Sequence, residues 1–424
     1  MSRAFLLCPE PVRRLTAGVG TRFLALAGVL ARHGHRVTLA LPNDPAEARG
    51  VPEGVEVVRA VEDRLHRQVE GHHWVLLHGH LGNHLLARRD DLPLVVDLYD
   101  PFLVDNLHYY PELGLDPYRT DHATWRLQMT RGDLFLCSSP RQRLYYLGWL
   151  TALGRVNPRI VETDPTLESL IAELPFGVPD DPPPPPPDRA GVLPGVEPGA
   201  PVLYFGGLYH WYDPMVLLDA LPEILAGHPG AVVVFVEHPH PELTPRSVAS
   251  RVRRRAEEAG WLGGTVRFEP WHPPEERHRL PLAADLAVVT HRPGLETELS
   301  LRTRVVDLLW LGLPVVATRG GAMSDVLEAT GAGAVVPPGD PGALAAAVCR
   351  YLGDPGLRRA ASEAGRRWAA GRTWDRVAAP LLRFAEQPCR DPFKPEPPPL
   401  VPAPRLREPL WTRIRRRVGR RADP

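Results

Sequence analysis

The chain has 424 residues, a length that accommodates two domains of ordinary size. Its 50 basic and 50 acidic residues cancel, so bulk charge points to no nucleic acid or other polyanion, and 44% apolar residues suffice for full cores. Lys394 is the only lysine, so nearly every cation is an arginine.

The first residues, "MSRAFLLCPEP", hold an apolar stretch too short for a signal-peptide core and read as a first strand. "GTRFLALAGVLARHGH" then reads as an amphipathic helix and "RVTLALP" as a second strand. "HWVLLHGH", "LPLVVDLYD" and "DLFLCSS" follow, each ahead of a segment with helical spacing. Such alternation predicts a parallel sheet with helices on both faces. It stops in "DDPPPPPPDRAGVLPGVEPGAP", which reads as an extended interdomain linker over 180–200. It restarts with "PVLYFGG", "AVVVFVE", "TVRFEP", "ADLAVVT", "LPVVAT" and "AGAVVPP" as strands. "DPMVLLDALPEIL", "PRSVASRVRRRAEEAG" and "PGALAAAVCRYLGD" are the helices between and after them. The expected layout is therefore a domain over 1–179, a second over 201–372, a last helix over 373–387 and a tail over 388–424. Two such domains bind ligands in the cleft between them, outside the carboxyl ends of the strands. Cys8, Cys137, Cys349 and Cys389 form no CxxC pair, and no run approaches a membrane span, so a cytoplasmic protein is expected.

Several post-strand loops carry candidate binding residues. Gly18 and Gly20 precede a helix and suit close backbone approach to a phosphate or sugar. The third glycine of a dinucleotide fingerprint is replaced by Phe23. "HHWVLLHGHLGNH" places His78 and His80 at a strand end, but no carboxylate or thiolate accompanies them at metal-ligand spacing. His80 is the histidine expected to face the cleft, and no metal is expected. Asp100, before Pro101, reads either as turn chemistry or as a hold on an acceptor hydroxyl. Gly206 and Gly207 allow close approach after a second-domain strand, and Tyr209 to Tyr212 form an aromatic cluster that suits a ligand surface.

The stretch "LETELSLRTRVVDLLWLGLPVVATRGG" sets Arg302 and Arg304 where an apolar helix begins, although first turns favour carboxylates. An i, i+3 pair of Arg304 with Asp307 gives only about 0.2–0.5 kcal/mol. An anion at the helix start resolves the conflict, since backbone N–H groups and guanidinium groups then act together. Asp307, one turn deeper, is placed to accept two ribose hydroxyls. A diphosphate at the arginines and a ribose at the aspartate describe a nucleotide sugar.

These segments resemble the GT-B-fold glycosyltransferases of family four over both domains. "GVGTRFLALAGVLARHGHRVTLALP" is similar to that family's first loop, helix and second strand, and "RTRVVDLLWLGLPVVATRGG" to its donor-site helix and following strand. "LVVDLYDPFLVDN", "LYFGGLYHWYDP" and "LSLRTRVVDLLWLGLPVV" resemble a bacterial subgroup associated with surface polysaccharide assembly. The resemblance implies an α/β GT-B architecture, two tandem Rossmann-like doubly wound domains facing a cleft. It also implies transfer of a sugar from a nucleoside diphosphate donor, with retention and without a metal or other cofactor. It gives Asp307 the role of ribose ligand, Glu296 or Glu298 a place near the donor sugar, with Ser300 beside them, and His80 a contact to that sugar. The family's arginine and lysine clamp is absent: Gly207 and Tyr212 stand there. Arg302 and Arg304, with Arg22 across the cleft, are then the candidate replacements.

The acceptor is expected to be a saccharide or a lipid-linked compound in envelope glycan synthesis. A nucleotide-sugar epimerase on the same fold and a non-catalytic scaffold are the other readings. In the tail, Leu410, Ile414 and Val418 recur at helical spacing among eight arginines between Arg405 and Arg421. This pattern suits either a basic helix on an anionic membrane, at the inner face, or a solvated tail.

Overall fold

The computed structural model describes residues 1–89, 91–237 and 247–394. The basic segment 405–421 and its membrane reading lie outside the described residues. The first sheet holds β1 (Arg3–Leu7), β2 (Arg36–Leu41), β3 (Val55–Arg59), β4 (Trp74–Leu77), β5 (Leu94–Asp97), β6 (Leu134–Cys137) and β7 (Ile171–Glu173). Their order is β3-β2-β1-β4-β5-β6-β7. The second sheet holds β8 (Val202–Gly207), β9 (Val232–Val236), β10 (Val266–Glu269), β11 (Leu286–Val289), β12 (Val315–Thr318) and β13 (Gly333–Val336), in the order β10-β9-β8-β11-β12-β13. All neighbours pair in parallel.

Near-continuous apolar strands such as "VVVFV" need cover on both faces, and helices supply it. The first sheet packs one core around Phe23, Leu26 and Trp74 and another around Trp125, Phe135 and Tyr146. In each domain the order reverses beside the first strand, between β1 and β4 and between β8 and β11. Those reversals open crevices at the carboxyl ends of the strands.

Two strands are additional to the sequence reading. β3 is an edge strand of alternating, half-exposed residues, and β7 has three residues, "IAE". Within the segment 180–200, Arg189–Val192 form a helical turn capped by Asp188, and Leu193 is fully buried. The last helix is two: Trp374–Val377, then Ala379–Glu386 with Pro380 in its first turn. Their Trp374, Ala378, Leu381 and Ala385 complete the first domain's core. Where the chain crosses between domains, Val178 N–H donates to the Arg372 carbonyl at 3.0 Å and Trp374 N–H to the Val178 carbonyl at 3.0 Å. Trp374 stacks edge-on against Phe176 at 4.8 Å, and a Cβ on Gly177 would stand 2.7 Å from its ring.

Candidate active site

A cavity of about 340 Å³ lies between the domains, walled by the loops after β1, β5, β8 and β10 and by the start of the helix Thr303–Leu311. That is the size range of small-molecule sites. Gly18, Asp100, Gly207, Tyr209, Trp211, Ser300, Arg302, Arg304 and Asp307 line it. Gly20, Arg22, His80, Gly206, Glu296 and Glu298 are not among its walls.

The 295–311 stretch folds as two helices, Leu295–Leu299 and Thr303–Leu311, broken at Ser300–Arg302. The break lets Arg302 turn back. Its guanidinium donates to both Glu296 oxygens at 2.6 and 2.7 Å, and both residues are buried. Arg302 Nε is buried without a hydrogen-bond partner among the described residues. Arg304 donates to the carbonyls of Phe205 at 2.5 Å and Gly207 at 2.7 Å, and its guanidinium lies 4.5 Å from the Tyr212 ring centroid. This approach explains Gly206. It sits at a β-bulge with φ +84°, and a Cβ there would stand 3.0 Å from Arg304 Cζ. Asp307 does not pair with Arg304. It accepts from Arg277 at 3.0 Å, with its side chain about a quarter exposed to the cavity. Burial raises the Asp307 pKa, against the opposing pull of Arg277.

On the first-domain side, the glycine loop has its own anion. Glu10 accepts from the N–H groups of Ala17 and, at 2.7 Å, of Gly20 at the start of the helix Gly18–Arg32. Gly20 is buried, and a Cβ there would meet Thr16 Cγ2 at 2.5 Å, so its smallness serves packing. Arg22 does not reach across the cleft. It is fully buried, bidentate to Asp97 at 2.7 and 3.0 Å, and its remaining donors satisfy the carbonyls of Leu174 and Pro175. His80 turns away, to Asp121 at 2.8 Å and Thr124 at 2.9 Å. The histidine behind the cavity is His78. Its Nδ1 bonds the Asp97 carbonyl at 2.8 Å, and Nε2 stands 3.2 Å from Asp100. His84 faces Glu62 instead. The histidines thus diverge, and among the described residues no cluster of three metal-ligating side chains forms.

Asp105 bridges the domains, accepting from the Ser300 hydroxyl at 3.0 Å. Desolvation, reinforced by Glu296 and Asp100, raises its pKa well above the usual range, and burial likewise raises Asp100. Glu298 is solvent-facing and pairs with Arg141 of the first domain, which also holds Asp325 at 2.8 Å. Tyr209 and Trp211 stack face to face, centroids 4.8 Å apart at 6°, and form a flat cavity wall.

Glu10, Trp271 and Arg277 line the cavity but were not read from sequence. Arg277 lies in "WHPPEERHRLP", after β10, and its place beyond a strand's carboxyl end was the available signal.

Residues 200–354 match the family model described as Glycosyl transferases group 1. A D-inositol 3-phosphate glycosyltransferase from Corynebacterium jeikeium (strain K411) is 29% identical over 243 residues, covering 54% of this chain and 57% of the relative. The chain thus spans little more than half the length of that relative. Among solved structures, sucrose-phosphate synthase from Thermosynechococcus elongatus superposes with a TM-score of 0.65 at 18% identity, covering 91% of this chain and 99% of that one. Anabaena HepE in complex with UDP-glucose gives the same TM-score, 0.65, at 18% identity over 91% and 99%. WaaG, a glycosyltransferase involved in lipopolysaccharide biosynthesis, gives 0.59 at 16% over 91% and 98%. At such identities the likeness establishes the fold. The chain has the GT-B architecture, and Gly206, Arg304 and Asp307 stand within the segment that matches Glycosyl transferases group 1.

Proposed function

We propose that this protein transfers a glycosyl group from a nucleoside diphosphate sugar to an acceptor hydroxyl, with retention and without a bound metal, in the cytoplasm. One observation carries the reading. Asp307 and Arg304 converge on one interdomain cavity at the start of a single helix, an acceptor for hydroxyls beside a cation for phosphate. HepE, a structural neighbour, has been solved with UDP-glucose, with UDP, and with UDP and glucose, which favours UDP as the nucleotide.

In this reading the bond from the anomeric carbon to the diphosphate oxygen breaks as the bond to the acceptor oxygen forms. Negative charge grows on the leaving diphosphate, and cations aimed there lower the barrier. Among the described residues, Arg304 is the cavity arginine whose charge no carboxylate offsets in an ion pair, so it takes this role. Arg277 joins it when the ribose hydroxyls displace its contact with Asp307. Asp100, 3.2 Å from His78, orients the acceptor hydroxyl. Arg302, neutralised by Glu296, shapes the helix start rather than clamping phosphate.

Calorimetric titration with UDP, GDP, dTDP, ADP and CDP tests the reading. UDP binding that weakens at least tenfold in Asp307→Ala is the expected result, about the 1.4 kcal/mol of one charged hydrogen bond. Silence from all five nucleotides would overturn it. A second reading, a scaffold on the same fold, draws on one feature: two of the three cavity arginines among the described residues, Arg277 and Arg302, already have carboxylate partners. It expects that silence.

A further inference from the structure

We propose that a groove beside the cavity takes an alkyl chain on the acceptor, so that the acceptor is an amphiphile rather than a free sugar. This rests on the transferase reading above. Apolar side chains scattered singly over a surface carry no message, whereas a cluster does. Five of the eleven exposed large apolar side chains among the described residues fall within one short segment, at Leu107, Tyr110, Leu113, Leu115 and Tyr118. They wall a groove of about 670 Å³ that no charged residue lines among the described residues.

Two features tie the groove to the chemistry. Tyr209 and Trp211, the stacked pair, line both the groove and the donor cavity, so an occupant of one adjoins the other. The groove is also closed from both domains. Tyr109 packs edge-on against His210 at 4.6 Å, and His210 Nε2 lies 2.7 Å from Glu112 and 2.9 Å from the Ser247 hydroxyl. A face that merely rests on a bilayer needs neither a concave wall shared with a donor cavity nor closure by a second domain. A chain reaching into the groove needs both, because its hydroxyl end must arrive beside the sugar.

The test uses the full chain with saturating UDP and a series of methyl, hexyl and octyl β-D-glucosides, all below micelle-forming concentrations. Affinity is expected to rise two- to fourfold per buried methylene. In Leu113→Asp, an exposed position whose change leaves the cores intact, that rise disappears while UDP still binds. Equal affinity across the series, or the same rise in Leu113→Asp, overturns the proposal. So does a variant that keeps the rise but no longer sediments with phosphatidylglycerol–phosphatidylcholine vesicles to which the parent protein binds, because the segment then serves a membrane surface. A chain-length effect lost in Leu113→Asp, in a protein that binds none of the five nucleotides, keeps the apolar site and removes the transferase reading instead.

Discussion

Arg302 and Glu296 stand six residues apart, too far for one helix face, yet the break at Ser300 brings them into a buried bidentate pair. Removing one partner strands the other in a low-dielectric interior. Arg302→Ala is therefore expected to cost about 3–5 kcal/mol in urea unfolding, whereas Arg302→Met combined with Glu296→Leu recovers most of that loss. Arg304 behaves differently, because its two donors hold backbone carbonyls beside the cavity. Arg304→Met should weaken UDP binding at least tenfold, and Arg304→Lys should not restore it, since an ammonium cannot span the Phe205 and Gly207 carbonyls as a planar fork does. Asp105 sets a pH dependence. The folded chain keeps its proton to higher pH than the unfolded chain does, so stability declines as pH rises from about 4 through the raised folded pKa. Asp105→Asn, which still accepts from Ser300, is expected to raise Tm at neutral pH and flatten that decline above about pH 4. Charges misplaced in an apolar run were visible in the sequence, but their partners were not. Arg302 is answered across a helix break and Asp307 from 30 residues upstream, and no local spacing announces either.

The stretch from Gly206 to Tyr212 shows what an element can and cannot reveal. Two glycines after a strand forecast close approach, and the approaching group is the chain's own Arg304. Gly206→Ala must hold φ +84° against a guanidinium, so a loss of about 1–3 kcal/mol is expected in thermal unfolding, together with weaker UDP binding. The strand series was legible because buried parallel strands are apolar throughout. β3 and β7 escaped because an edge strand alternates and a three-residue strand has no period to read. At the glycine loop before the first long helix, the sequence suggested an external anion, but Glu10 fills that place from within the domain. Its two acceptor contacts span up to ten residues, beyond any capping pattern.

Two doubly wound units with facing carboxyl ends followed from the order of strands and helices alone, and the cleft followed from that order. Contacts such as Arg141 with Glu298 and Asp325 did not, because they join surface charges with no sequence signature. Glu298 is one: it meets Arg141 across the domains in the open. Exposed pairs contribute little, so Glu298→Ala is expected to change stability by less than about 1 kcal/mol. It should leave UDP affinity within about twofold, as calorimetry would show, because Glu298 is outside the cavity wall. The return of Trp374, Ala378, Leu381 and Ala385 to the first core has a further consequence, in the order of synthesis. Domains usually fold as they leave the ribosome, N-terminal first, at about 5–20 residues per second. Here the first sheet lacks part of its core until about 200 further residues have been made, an interval of roughly 10–40 s. During that interval the second domain, emerging later, is the earlier one to have every residue its core needs.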